Sequence, residues 1–358
     1  MGEFNGQSSR LLSSSLLLTF FGLIMVYSSS WAYASHYYGN SYFLLLKQTI
    51  AAVIGFGALI FFIKVDLTKI IDLSGYLLAG FTFLTLLTLI PGLSTGGRWL
   101  DFGPLAFQPT EGLKFGLIIW ASLGVADLGD KLKDFKRGIG PFLIVVGLLS
   151  LLTLLQPDFS MSVLLIASVG FLLFIGGARL LDLGKVIALG LPLLGGLLVL
   201  KPYRLQRLIS FFGSGRDSMD TGYQLSQSLI AFGSGGIFGK GLGQSVEKFL
   251  YLPSGYNDFI YSIIGEELGF IGSLIVIGLF IAFGVEGFRI AVKQDDLVRS
   301  LIAAGFTFVI CFQAILNFGV TLGLMPVTGL TLPFISYGGT SLIISLAIVG
   351  VLINIDNS

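Results

Sequence analysis

The chain has 358 residues, of which 54% are hydrophobic and 11% charged, with 49 glycines and a mean hydropathy of +0.91. Soluble domains carry roughly 25% charged residues, so the polar surface of a globule is missing and a polytopic helical membrane bundle is indicated. A formal net charge of +1 argues against a nucleic-acid partner, and a single cysteine, Cys311, excludes a disulfide framework or a thiolate metal site.

In chain order, residues 1–10 read as an N-terminal tail, in part an expression remnant, and residues 11–358 as one transmembrane domain. The first apolar run is too long for a removable signal peptide and lacks a small-residue cleavage pattern, so it is expected to stay as an anchor. Apolar runs of about 18–22 residues, the length that crosses a bilayer, predict about ten spans. They lie at about 11–32, 42–63, 74–91, 110–127, 140–156, 159–177, 185–200, 258–285, 300–318 and 336–355. The single histidine, His36, falls in a polar-aromatic link and reads as an interfacial loop residue.

Arg10, Lys64, Lys69, Lys131, Lys133, Lys136, Arg137, Arg179, Lys185, Arg289, Lys293 and Arg299 gather on one set of links, whereas the short links of the other side hold only Arg98. By the positive-inside rule both termini are then cytoplasmic. The outer side carries two long loops, about 92–109 and, between spans seven and eight, about 201–257. Lys201, Arg204, Arg207, Arg216, Lys240 and Lys248 are expected to make that outer surface cationic. Within the second loop, Tyr223 to Gly241 passes from a mixed polar-apolar helix pattern into a glycine-rich cluster, read as an interfacial helix followed by a tight backbone loop.

Four stretches carry polar groups where a greasy chain places them at a cost. The first, Tyr251 to Phe270, holds Asp258, Glu266 and Glu267. Asp258 follows a turn-rich loop near the outer surface and suits a proton acceptor, or simply an acid at a helix start. On a helix, Glu266 lies about 80° and Glu267 about 180° from Asp258, both about 12 Å further along the axis. They are therefore no acid/base couple with it and are expected to pair with a basic residue of another span. The second stretch, Thr95 to Lys114, offers Trp99 as interface anchor, Arg98 toward headgroups, Glu111 at a helix start, and Lys114 inside a span. Arg98 and Lys114 are the candidates to hold a diphosphate. Third, Asp158 in the short turn Gln156-Pro-Asp158 caps the sixth span or faces the outer cavity. Fourth, Leu324 to Ser341, with two prolines and a glycine pair beside Ser336 and Tyr337, reads as backbone folded into that cavity. No Walker A loop, zinc-type histidine spacing or Ser/His/Asp set is present.

These stretches resemble SEDS proteins, the shape, elongation, division and sporulation family that includes FtsW and RodA. The resemblance runs in order through Arg98-Trp99, Gln108-Pro-Thr-Glu111 with Lys114, Gln156-Pro-Asp158 and Gly222-Tyr-Gln224 to Ser228. It continues through Gly233 to Gly241, Asp258-Phe-Ile260, Gly265-Glu-Glu-Leu-Gly269, Pro326-Val-Thr-Gly329 and Ser336-Tyr-Gly-Gly339. Gly241 to Pro253 is closer to the FtsW branch than to RodA. One departure stands out: the family commonly has Pro-Glu-x-His-Thr-Asp, and this chain has Pro253-Ser-Gly-Tyr-Asn-Asp258.

The resemblance implies a peptidoglycan glycosyltransferase of the bacterial cytoplasmic membrane that polymerises lipid II at its outer face. Asp258 would be the general base and the anomeric carbon would invert. Arg98, Trp99, Glu111, Lys114, Asp158, Gln224, Ser336 and Tyr337 would contact substrate, and a divalent cation (Mg or Mn) is an alternative source of charge for the diphosphate. Implied partners are undecaprenyl-diphosphate-linked glycan, a class B penicillin-binding transpeptidase and other division or elongation membrane proteins. A lipid II flippase and a non-catalytic scaffold for the transpeptidase are the competing readings.

Overall fold

The structure, a computed structural model, describes residues 5–102, 105–156, 158–199 and 221–358. Helix α1 (Gly6–Tyr38) ends on Gly39, whose left-handed backbone returns its N–H to Ser35 O at 3.1 Å. At 33 residues it is about 50 Å long, against a hydrocarbon core of about 30 Å, so its tyrosine-bearing end extends beyond the core. Helix α2 (Phe43–Lys64), a short α3 (Leu67–Asp72) capped by Asp66, and α4 (Ser74–Leu87) follow.

The predicted loop at 92–109 is not irregular. Strands β1 (Ser94–Thr95), β2 (Trp99–Phe102) and β3 (Leu105–Phe107) form an antiparallel sheet in that order, Thr95 opposite Trp99 and Asp101 opposite Ala106. Gly96 and Gly97 turn the first hairpin with φ of 60° and 71°, where a side chain would strain the backbone. The sheet is pinned to the bundle through Thr340, whose Oγ1 accepts from Gln108 N at 3.0 Å and donates to Ala106 O at 3.3 Å.

Helix α5 (Pro109–Leu128) starts with proline at its first position. Helices α6 (Gly140–Leu155), α7 (Phe159–Ile175) and α8 (Leu180–Val199) precede α9 (Thr221–Gly235), which occupies the stretch read as an interfacial helix. Then come α10 (Ile260–Lys293), α11 (Leu297–Thr321) and α12 (Gly339–Asn357). Seven helical stretches among the described residues are long and apolar enough to cross a membrane, and α4 and α7 are shorter apolar helices. The innermost are α11 and α12, whose apolar windows are 78% buried. At one end of the bundle Asp356 accepts from Ser8 Oγ at 2.6 Å and lies 3.2 Å from Lys293 Nζ, so the two chain ends meet there.

The eighth predicted span differs from an uninterrupted helix. It starts at Ile260 and runs to Lys293, and it breaks at Gly269 (φ 69°, ψ −165°). A broken helix inside a membrane must have its freed peptide groups satisfied by protein. The glycine-rich cluster does this: Lys240 N and Gly241 N donate to Glu266 O and Glu267 O at 3.0 and 2.9 Å, while Phe270 N and Ile271 N donate to Gly236 O and Ile237 O at 2.9 and 3.2 Å. The approach leaves no room for side chains, since a Cβ on Gly239 would fall 2.2 Å from Glu267 O.

The expected cationic outer surface is corrected in part. Lys248 is fully buried on Glu267 at 3.0 Å and Lys240 is held on Glu266 at 2.7 Å, because each neutralises a carboxylate that the helix break brings inside. Lys201, Arg204, Arg207 and Arg216 lie outside the described residues. The basic partners of Glu266 and Glu267 accordingly come from the loop before α10, not from another span. Glu267 also accepts from Ser28 Oγ on α1 at 2.6 Å, which ties loop, α10 and α1 together.

Candidate active site

Asp258 sits two residues before Ile260, at the start of α10, with its side chain half-buried. Its backbone is held from two directions. Asn317 of α11 donates through Nδ2 to Asp258 O and to Leu330 O, both at 2.8 Å. From the loop before α12, Ser336 Oγ donates to Asn257 O at 2.7 Å and Tyr337 N donates to Tyr256 O at 3.1 Å. The carboxylate lies over Gly329, where a Cβ would be 3.5 Å from Oδ2. The stretch 322–338 is thus backbone folded against Asp258, and Gln48 of α2 anchors it by donating to Ser336 O and accepting from Gly338 N, each at 3.1 Å.

Gly329 also leads to the second charged group. Its neighbour Thr328 accepts through its carbonyl from Ser160 Oγ at 2.7 Å, in the first turn of α7. Asp158 caps that helix by accepting from Met161 N at 3.1 Å, and its Oδ2 lies 3.8 Å from Arg98 Nη1. Arg98 Nε donates to Gln156 O at 3.1 Å, so the hairpin of β1 and β2 delivers a guanidinium onto the α6–α7 turn. Trp99, half-buried on β2, covers Gly96.

Glu111 and Lys114 lie deeper. They pair at 2.5 Å with side chains 4% and 1% exposed, and Lys114 Nζ donates to Gln313 Oε1 at 2.8 Å. Gln313 in turn donates to Thr331 O at 2.9 Å. Lys114 therefore reaches the cavity loop through Gln313, one helical turn before Asn317, and is enclosed by these partners. Gln224 is half-buried on α9, one turn before Ser228, whose Oγ lies 2.5 Å from Ser262 Oγ on α10. Asn317, Gln313 and Gln48 were not singled out from the sequence, although polar amides inside apolar runs are a signal that could have found them.

The altered lead-in Ser254–Asn257 is built into this frame. Ser254 takes a left-handed backbone (φ 58°) and its carbonyl accepts from Asn257 N at 3.0 Å. Tyr256 then stands between Tyr33 and Tyr337, with ring centroids at 4.9 and 5.8 Å. Burial pushes the Tyr337 phenol up to about 12, and burial together with a hydrogen bond to Tyr33 raises Tyr256 further. Both stay neutral at pH 7.

A bundle of apolar helices that carries an acid, a guanidinium and a re-entrant loop at one end defines a polytopic membrane protein with a polar site at its membrane face. The model of the family described as "Cell cycle protein", covering FtsW, RodA and SpoVE, matches residues 9–358, and the chain belongs to that family. It is a multi-pass protein of the bacterial cytoplasmic membrane. The chain is similar to stage V sporulation protein E of Bacillus subtilis (strain 168), at 39% identity over 97% of this chain and 96% of that protein. It is 34% identical to a probable peptidoglycan glycosyltransferase FtsW of Geobacter sp. (strain M18), covering 99% and 98% of the two chains. Among solved structures it resembles a chain described under "Structural coordination of polymerization and crosslinking by a peptidoglycan synthase complex", with TM-score 0.79, 26% identity, and 100% and 98% coverage. It also resembles Thermus thermophilus RodA, with TM-score 0.67, 26% identity, and 99% and 97% coverage.

Proposed function

We propose that this protein is a peptidoglycan glycosyltransferase that polymerises lipid II. The observation that carries the reading is Asp258, held before the start of α10 by Asn317 and Ser336 and linked through Gly329, Thr328 and Ser160 to the Asp158–Arg98 pair. The names of the FtsW relatives supply the reaction class. In this reading the chain crosses the membrane ten times with both termini cytoplasmic, which the meeting of Ser8 and Asp356 supports. The described stretch 221–257 and the site then face outward.

Asp258 takes the proton from an acceptor sugar hydroxyl as its oxygen attacks the anomeric carbon of the growing chain. The new C–O bond forms on the face opposite the departing lipid diphosphate, so the carbon inverts. Arg98 stabilises the charge that develops on the leaving diphosphate, the term expected to be large in such a transfer. Asp158 orients Arg98, and Lys114 with Glu111 and Gln313 fixes the loop over the site. In this reading Trp99, Gln224, Ser336 and Tyr337 contact the substrate.

Among the described residues no group of three or more His, Cys, Asp or Glu is placed to hold a metal ion. Those described residues offer no cage of their own, and Mg or Mn would be carried by the diphosphate with a protein carboxylate, as Mg commonly is. The likeness to a peptidoglycan synthase complex supports a class B penicillin-binding transpeptidase as partner. The test of the reaction is its product: glycan made from lipid II by the purified protein should be cut to disaccharides by a β-1,4-specific muramidase. Polymer resistant to that enzyme would overturn the inverting mechanism.

A further inference from the structure

A cavity of about 310 Å³ is lined by Tyr33, Tyr37, Lys248, Ser254, Gly255 and Tyr256, among others, and its Tyr256 wall stands two residues before Asp258. The mechanism above leaves it without a task. It lies between the far end of α1 and the Asp258 loop. Helix α1 packs on α10, α2 and α12, whereas α7, which carries Asp158, packs on α6, α11 and α5. The cavity and the Arg98 cluster thus flank Asp258 from different parts of the bundle.

Its walls have a definite chemistry. Tyr33 and Tyr37 lie one turn apart with ring centroids at 4.5 Å and ring planes tilted by 38°, and Tyr33 meets Tyr256 at 4.9 Å with a tilt of 43°. Three rings with hydroxyl tips, with Ser254 in the same wall, offer apolar faces edged by hydrogen-bonding groups. That is the complement of a pyranose, which has an apolar face of C–H bonds and an equatorial rim of hydroxyls. The volume is at the small end of ligand sites, about 300–1,000 Å³, which suits one sugar ring and not a polyprenyl tail.

We infer that the Tyr33–Tyr37–Tyr256 cavity is a saccharide subsite that holds the acceptor sugar and presents its hydroxyl to Asp258. The inference rests on the glycosyltransferase reading. Tyr256 ties the two together, because it forms one wall of the cavity and stands two residues from Asp258 while its ring touches Tyr337. With the diphosphate of the donor on the Arg98 side, the acceptor is left with the tyrosine side, and Asp258 lies between them. Tyr33, Tyr37 and Tyr256 are positioning groups in this scheme, since none exchanges a proton with the reacting atoms.

The test uses the purified full chain in detergent with tri-N-acetylchitotriose as probe and saturation-transfer NMR as readout. Wild type should give transfer to the sugar ring protons, Tyr33→Ala and Tyr37→Ala should lose it, and Tyr33→Phe should keep it because the ring is retained. Tyr37 is 59% exposed, so its replacement tests the site without disturbing the packed bundle. In polymerisation assays Tyr37→Ala should raise KM for lipid II about tenfold and leave kcat within about twofold, the mark of lost substrate binding. Transfer that survives in both alanine variants, or that sugar-free undecaprenyl phosphate abolishes, would overturn the subsite. If wild type binds the probe through Tyr33 and Tyr37 but makes no polymer, the glycosyltransferase reading fails and the saccharide site stands. If it polymerises with Tyr37→Ala indistinguishable from wild type, the subsite fails alone.

Discussion

Asp258→Asn is expected to lower the rate of glycan polymerisation from lipid II by about 10²–10⁴-fold, the usual contribution of a positioned general base, with no loss of folded protein. The change is nearly isosteric and replaces the proton acceptor with an amide. Its backbone is held through Asn317 to Asp258 O and through Ser336 to the preceding carbonyl, and both contacts are kept in the variant. The measurement is the glycan ladder formed by purified protein with the partner's transpeptidase inactivated, beside a thermal melt of each variant. Polymer made at the wild-type rate would remove Asp258 from the base role and leave the acceptor hydroxyl without an assigned base.

Lys248→Met should destabilise the protein by about 3–5 kcal/mol, the cost of leaving one partner of a buried ion pair unmatched. Lys248 and Glu267 are both fully buried and 3.0 Å apart, and the remaining bonds to Glu267 come from Ser28 and from Ser245 N at 3.3 Å. The loop that loses its anchor is the one that closes the break at Gly269 and leads into Asp258, so activity should fall with stability. The double variant Lys248→Met with Glu267→Gln removes both charges and should regain most of the melting temperature. A double variant no more stable than the single one would show that the pair is not what fastens this loop.

The contrast between these two acids shows how far the chain could be read before it was folded. Helical periodicity would separate Asp258 from Glu266 and Glu267 by about 80° and 180° and a rise of about 12 Å, but α10 begins only at Ile260, so Asp258 stands apart from them on the turn before the helix. That Glu266 and Glu267 would need basic partners was also legible, since buried carboxylates are costly. Which lysines they use was not. Lys240 and Lys248 sit in a polar, glycine-rich stretch whose composition suits an outer surface, and only the fold shows that the chain re-enters to satisfy the peptide groups freed at Gly269.

Lys114 illustrates the same limit from the other side. Its place in an apolar span flags it as unusual, and Glu111 at i,i+3 was a visible partner. Gln313, 199 residues away in sequence, is what makes Lys114 part of the interior scaffold under the cavity loop. The sheet of β1 to β3 escaped notice because strands of two to four residues are too short for alternation to show. The apolar spans, by contrast, are long and nearly free of charge, which makes their positions plain from hydropathy.

The central claim is that catalysis of polymerisation, and not transport, is what this site does. Its most direct test is one reconstitution: purified protein in vesicles containing labelled lipid II, the partner transpeptidase inactivated, with polymer and transbilayer movement of lipid II followed in the same sample. The account predicts a glycan ladder that requires Asp258. Lipid II that crosses the bilayer while no polymer appears would contradict it and make the protein a flippase.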